Sequence, residues 1–280
     1  MSFRIIRTDT AVYLISDRLA SPHAFATRLG GVSTLPHTAT LNLAFGRGDE
    51  RDTVLENLLR FGTAAGFDPH SVISVPQVHG NAVHVVDSRH RGMGYHLAAA
   101  FEVDGYVTAD PAVTLGVKTA DCTPILLEAL ANGIPVAVAA LHAGWKGTVL
   151  NIAGEGVRRL RELACARAGV PAHAVTIRAA IGPCIHACCF EVKEDCLAVV
   201  RERVGDAMAA GFILFRQGKT YLDLPGLNRA LLLRAGVAEA DIDVCELCTA
   251  CHPELFYSHR ASGGLRGTML NAIWLAGGER

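Results

Sequence analysis

Two imidazoles and a thiol stand at loop-like breaks between apolar runs of this 280-residue chain. They are His79 in PQVHGNAVHVV (76–86), Cys122 in GVKTADCTPILLEAL (116–130) and His142 in IPVAVAALHAGWKG (134–147). Two neutral histidines and one cysteinate suit zinc, and three protein ligands with a fourth position open is the catalytic form of a zinc site. Each residue also has a plainer reading. A histidine beside apolar segments can be a satisfied structural residue, and an isolated cysteine packs as a small hydrophobe. Without a metal, Cys122 as nucleophile and His142 as base would make a cysteine hydrolase. No spacing rule joins residues this far apart, so their types alone leave these alternatives open. Asp121, just before the thiol, could orient a ligand histidine, carry a proton or simply cap a turn. Lys146 follows His142 in a glycine-rich turn ahead of a helix expected from Thr148. Helix N-termini favour anions, which makes Lys146 a candidate phosphate contact.

The element that must hold His142 is the run from Ile134 to Leu141. It is long enough for one buried strand and far short of the ~20 residues that span a membrane. A strand that ends in a Gly-punctuated turn and feeds a helix exposes the turn on a rigid base, as at the ligand sites of open α/β sheets. Residues 52–65 read as a helix with Asp52 as N-cap, and 148–168 as one long helix. Short strands are expected at 71–75, 82–86, 103–108 and 113–118, and later at 174–181, 212–215 and 219–222. Helices at 193–209 and 226–235 and a closing strand pair of 241–245 with 268–275 complete the pattern. Hairpin-like pairs among crossover units favour mixed sheets over a doubly wound sheet. No low-complexity linker divides the chain, which reads as a single domain over residues 1–280.

Charge excludes some partners. Lys and Arg number 26 and Asp and Glu 27, a net charge of −1, so nothing favours nucleic acid or a membrane surface and the expected partners are small molecules. The opening MSFRIIRTDT lacks the apolar core of a secretory signal. Nine cysteines, an odd number, read as reduced thiols in the cytoplasm rather than as a disulfide framework.

The motifs QVHG, TADCTP and HAGWKG, in this order, resemble the signature of the YfiH-like family. That family carries an older polyphenol oxidase or laccase label and is also described as zinc-dependent purine nucleoside phosphorylases. Similar blocks run through the chain: HAFATRLGGVS (23–33), LNL (41–43), GDE (48–50) and ENL (56–58), then IGPCI (181–185) with CCFEV (188–192), and CTAC (248–251) with LFYSHR (255–260). The resemblance implies an α+β (mixed α/β) fold, layered α/β/β/α with mixed β-sheets. It also implies zinc, or copper under the older label, on His79, Cys122 and His142. The implied reaction is phosphorolysis of adenosine, inosine and guanosine to base and ribose 1-phosphate, with adenosine deamination and methylthioadenosine phosphorolysis beside it. Arg28 and Arg260 lie in matching blocks and become candidate phosphate or ribose contacts. Two departures stand out. Lys146 replaces the usual arginine, keeping the charge without the two-pronged grip. In the central block, where the family usually shows Gly-Pro and then a tyrosine, this chain has His186, Ala187 and Phe190, which would reshape the substrate pocket.

Cysteines also crowd two further stretches. Cys245, Cys248 and Cys251 form a C-x2-C-x2-C run before His252, and Cys184, Cys188 and Cys189 form a second group. Such spacings can hold a structural zinc or an iron–sulfur centre. The family's blocks carry cysteines here without a metal, so the resemblance implies plain structural thiols. A full multicopper oxidase would need many more histidine ligands than the three-residue set supplies.

Overall fold

In the computed structural model, which describes residues 3–277, three strands come first: β1 (Phe3–Arg7), β2 (Val12–Ser16) and β3 (His23–Ala26). Helix α1 (Arg51–Ala65) precedes β4 (Val72–Ile73), β5 (Val83–Val85), β6 (Gly105–Thr108) and β7 (Thr114–Thr119). Then come the long strands β8 (Thr123–Ala131) and β9 (Ile134–Ala143), helices α2 (Trp145–Val149) and α3 (Ile152–Ala168), and β10 (Val175–Ile181). Helices α4 (Glu194–Val204) and α5 (Asp206–Ala210), the hairpin β11 (Ile213–Arg216) and β12 (Lys219–Leu222), and α6 (Leu224–Arg234) lead to β13 (Ile242–Val244) and β14 (Met269–Trp274).

Twelve of these strands make two six-stranded mixed sheets, ordered β1-β2-β3-β14-β7-β4 and β13-β10-β8-β9-β6-β5, and β11 pairs with β12 alone. The sheets lie face to face, with α1 outside the first and α3 and α6 outside the second, the layering expected from the motifs. Alternation along the strands shows why. On β8, β9 and β10, Leu126, Val138, Ala140 and Ala180 join the core shared with Val117, Leu270 and Ala272 of the first sheet. Their neighbours Ile125, Leu127, Ala139 and Ile181 face the opposite way, onto Ile152, Val157, Leu160 and Ala164 of α3. Both faces are buried from Ala137 onward, so the run before His142 is apolar rather than alternating there, while Ile134 beside the turn is exposed.

The β8–β9 hairpin is set by Asn132-Gly133, whose φ values of 53° and 79° suit the tight primed turns that match strand twist. This long hairpin sets the register at its far end, where Thr123 pairs with Ala143 and Pro124 with His142. Leu141 locks the helical layer down beside it: a Cβ on Gly105 or Gly156 would stand 2.8 or 2.5 Å from its methyl groups.

Local expectations fail in five places. The N-cap of α1 is Glu50, and Asp52 lies within the first turn. The long helix from Thr148 is two, because Asn151 takes φ 63° and its side chain caps α3 at the Gly154 amide, 3.2 Å away. The helix over 193–209 is interrupted at Gly205, with φ 88°. Residues 241–245 and 268–275 do not pair: β13 lies parallel to β10, and β14 lies between β3 and β7 in the other sheet. The strand over 71–75 shrinks to Val72–Ile73. No helix among the described residues is long and apolar enough to cross a membrane.

Leu141→Ala should lower stability by about 2–5 kcal/mol, the range for a buried Leu that leaves a cavity. Urea denaturation reads this directly, and a loss under ~1 kcal/mol would contradict the clamped packing described here.

Candidate metal centre and active site

The hairpin and β6 bring distant residues to one sheet end. β6 runs antiparallel to β9 with Gly105 opposite Leu141, which sets Asp104 beside His142. The His142 amide donates to the Asp104 carbonyl at 2.7 Å. Cys122 arrives from the start of β8. His79 lies in the loop between β4 and β5, and the Asp104 carboxylate straps that loop down. It accepts the amides of Val78 (3.1 Å), His79 (2.9 Å) and Gly80 (2.7 Å). His79 itself has φ 61°, a conformation costly for a non-glycine residue unless its surroundings impose it.

The side chains of His79, Cys122 and His142 therefore converge. One ligand-capable atom from each lies within 4.8 Å of the others. His79 Nε2 is 3.9 Å from Cys122 Sγ, and the two rings stand 4.9 Å apart, nearly perpendicular. Gly144 is required by this approach, since a Cβ there would fall 2.8 Å from His79 Cδ2 and 3.2 Å from Cys122 Sγ. His142 Nδ1 bonds Asp104 Oδ1 at 2.7 Å, which leaves Nε2 as the ring's lone-pair donor. Burial alone would raise the Cys122 thiol, yet the two histidines hold it down at about 6. Burial likewise opposes charge on His142, but Cys122 and Asp104 push it up to about 9. The donor set fits a soft divalent ion: a thiol already inclined to ionise, two imidazoles, and an open side.

That open side faces two cavities with a common wall of His79, Ala120, Cys122 and Arg266. The larger, about 730 Å³, is cationic, with Arg47, Arg51, Lys118 and Arg266 on its lining. Burial lowers Lys118 to about 8 and Arg266 to about 10, with Arg47 adding repulsion in both cases. The buried Arg266 Nε has no hydrogen-bond partner among the described residues. The smaller cavity, about 420 Å³, carries Trp145, Ile185, Phe190 and Leu224.

The other expected site residues fare differently. Asp121, with φ 90°, accepts from Thr249 Oγ1 and the Arg260 amide, each at 2.7 Å; the carboxylate that orients a ring is Asp104. Arg260 lines the smaller cavity, its guanidinium 5.3 Å from the Phe190 ring centre and bonded to the Glu191 carbonyl. Lys146 does not stand ahead of its helix. Helix α2 begins at Trp145, and Lys146 is exposed on it with Nζ 5.8 Å from the Trp145 ring centre, lining neither cavity. Arg28 ties the carbonyls of Ala39 and Pro253 together and lies over Tyr257. Sequence reasoning missed Asp104, Lys118 and Arg266. For Asp104 there was a signal, an acidic residue interrupting the apolar stretch FEVDGYV.

Residues 22–276 match the family model described as multi-copper polyphenol oxidoreductase laccase. The chain is 40% identical over 265 residues to a purine nucleoside phosphorylase of Deinococcus radiodurans, covering 94% of this chain and 92% of that protein. It is 34% identical over 256 residues to the adenosine deaminase RL5 of an unknown prokaryotic organism, covering 90% and 93%. The crystal structure of Bacillus licheniformis protein YfiH matches with a TM-score of 0.84 at 30% identity, over 98% of this chain and 99% of that one. Motifs and fold therefore agree with these comparisons, and the chain belongs to the multi-copper polyphenol oxidoreductase laccase family, with YfiH among its structural relatives.

Proposed function

We propose that this chain is a zinc-dependent purine nucleoside phosphorylase acting as one catalytic domain, with His79, Cys122 and His142 as the metal ligands. The observation that carries this reading is the position of His79 and Cys122 on the wall between a cationic cavity and an aromatic one, with His142 on the cationic side. Phosphorolysis needs both: an anion held beside C1′ of a ribose, and a flat apolar bed for the leaving base. The relative named purine nucleoside phosphorylase supports the substrate class.

In this reading Arg266, Arg47 and Lys118 hold phosphate in the larger cavity, and Trp145 and Phe190 flank the purine in the smaller. Asp104 keeps the proton of His142 on Nδ1 and so presents Nε2 to the ion. The bound ion supplies a Lewis acid working at neutral pH. Phosphate oxygen attacks C1′, the glycosidic bond breaks, and its electron pair leaves with the base, which takes up a proton. Arg260, beside Phe190 and Cys122, is a ribose contact. Adenosine deamination is a second activity of the same centre, favoured by the relative named adenosine deaminase. A laccase would need further copper sites. Among the described residues only one other group of metal-capable side chains converges, and it is all cysteine. A metal-free cysteine hydrolase built on Cys122 and His142 is distinguished by metal analysis: activity that survives complete chelation would favour it.

Three measurements test this reading. Cys122→Ser should lose the ion of this site and phosphorolysis together while the far-UV circular dichroism stays unchanged; retention of full turnover would refute the ligand assignment. Asp104→Asn keeps the shape but removes the charge, and should weaken zinc about 10- to 100-fold in chelator competition; unaltered affinity would leave Asp104 a purely structural role. Arg266→Met should raise the phosphate KM about 10- to 100-fold, the worth of a charged hydrogen bond at ~1.5–3 kcal/mol, with Arg266→Lys in between. Phosphate-independent deamination should fall much less, and an equal fall in both would move the phosphate site elsewhere.

A further inference from the structure

Four of the nine cysteines meet on the opposite side of Asp121 from the site just described. Cys188 and Cys189 come from the turn after β10, Cys248 and Cys251 from the turn after β13. We propose that Cys188, Cys189, Cys248 and Cys251 form a second metal site, a tetrathiolate that takes one structural zinc ion. This reverses the expectation of plain thiols and narrows the six clustered cysteines to four. It does not rest on the proposed activity.

The geometry carries the assignment. All four sulfurs lie within 4.8 Å of one another. Cys251 Sγ stands 3.4 Å from Cys188 Sγ and 3.3 Å from Cys189 Sγ. A tetrahedral zinc with bonds of ~2.3 Å sets its sulfurs roughly 3.8 Å apart, within this range. A four-iron cluster needs its thiolates spread further, around a core of its own sulfides. Cys248 and Cys251 have the C-x2-C spacing of zinc turns, and the His186 amide donates to Cys248 Sγ at 3.4 Å, as a thiolate requires. The frame is built without the ion: the Thr249 amide bonds the Cys184 carbonyl at 2.9 Å. Cys184 and Cys245 are buried apart from the group, and His252 is engaged with Glu254 at 3.0 Å.

Charge is also provided for. Zinc(II) displaces four thiol protons and leaves a centre of net charge −2. Two guanidiniums lie against its backbone, Arg216 on the Cys188 carbonyl at 3.0 Å and Arg260 on the Cys189 carbonyl at 3.4 Å. The centre has a structural consequence. Thr249, between two of its ligands, holds Asp121 Oδ1, and the Ile185 amide holds the Asp121 carbonyl at 2.9 Å. The ion would clamp together the two segments that brace the residue before Cys122.

The test uses full-length protein purified without added metal. Elemental analysis should find two zinc ions per chain. In Cys122→Ser, zinc X-ray absorption should show a retained ion with four sulfurs at ~2.3 Å. The double variant Cys188→Ser/Cys251→Ser should lose one ion and melt at lower temperature while keeping the ion on His79, Cys122 and His142. A disulfide among the four cysteines in peptide mapping, or no four-sulfur zinc shell in Cys122→Ser, would overturn the proposal. If the double variant fails to fold, the absorption measurement on Cys122→Ser decides alone.

Discussion

The structure of the site depends on one buried carboxylate. Asp104 is fully buried, and an unpaired charge at that depth would cost several kcal/mol. It is matched instead by four donors, three amides of the 78–80 loop and His142 Nδ1. Two consequences follow from this one group. The ring of His142 is held in one tautomer and one orientation, and the loop that carries His79 is closed against the sheet in a left-handed turn it would not adopt alone.

The position of the site follows from antiparallel pairing. In parallel sheets a site forms at the carboxyl ends, the one edge at which every strand runs out into a loop. Here the end of β9 meets the beginnings of β8 and β6, and three strands running in opposite directions deliver Cys122, His142 and Asp104 to a single edge. The edge opens on two chemically unlike sides. Arg266 belongs to both cavities, so a cation stands where an anion and an apolar ring would meet.

Asp121 ties Cys122 to the cysteine-rich segments. Its backbone and carboxylate are held by Ile185, Thr249 and Arg260, all from the cysteine-rich segments or their immediate flank. Cys122 follows it directly. Rigidity in those segments is therefore passed to the thiol through hydrogen bonds rather than through apolar packing, which suits a residue that must stand at the rim of a cavity.

How much of this was legible in the sequence varies by residue. The run before His142 identified a buried strand because an element covered on both faces is apolar at every position. The types of His79, Cys122 and His142 pointed to a soft-metal set, and the motif order pointed to the family and its layers. The hairpin turn Asn132-Gly133 and the strand before it both went unread. Asp104 could not be chosen over Asp121 as the partner of His142, because adjacency in sequence favours Asp121 and only the β6–β9 register sets Asp104 against the ring. Lys146 illustrates the converse. Its motif suggested an anion contact, and a helix beginning at Trp145 leaves it exposed, outside both cavities. Local pattern thus determined which residue types and elements the chain contains, since periodicity and turn chemistry act over a few residues. Which side chains share a site was decided by strand register and sheet stacking, because those interactions join positions that no sequence spacing connects.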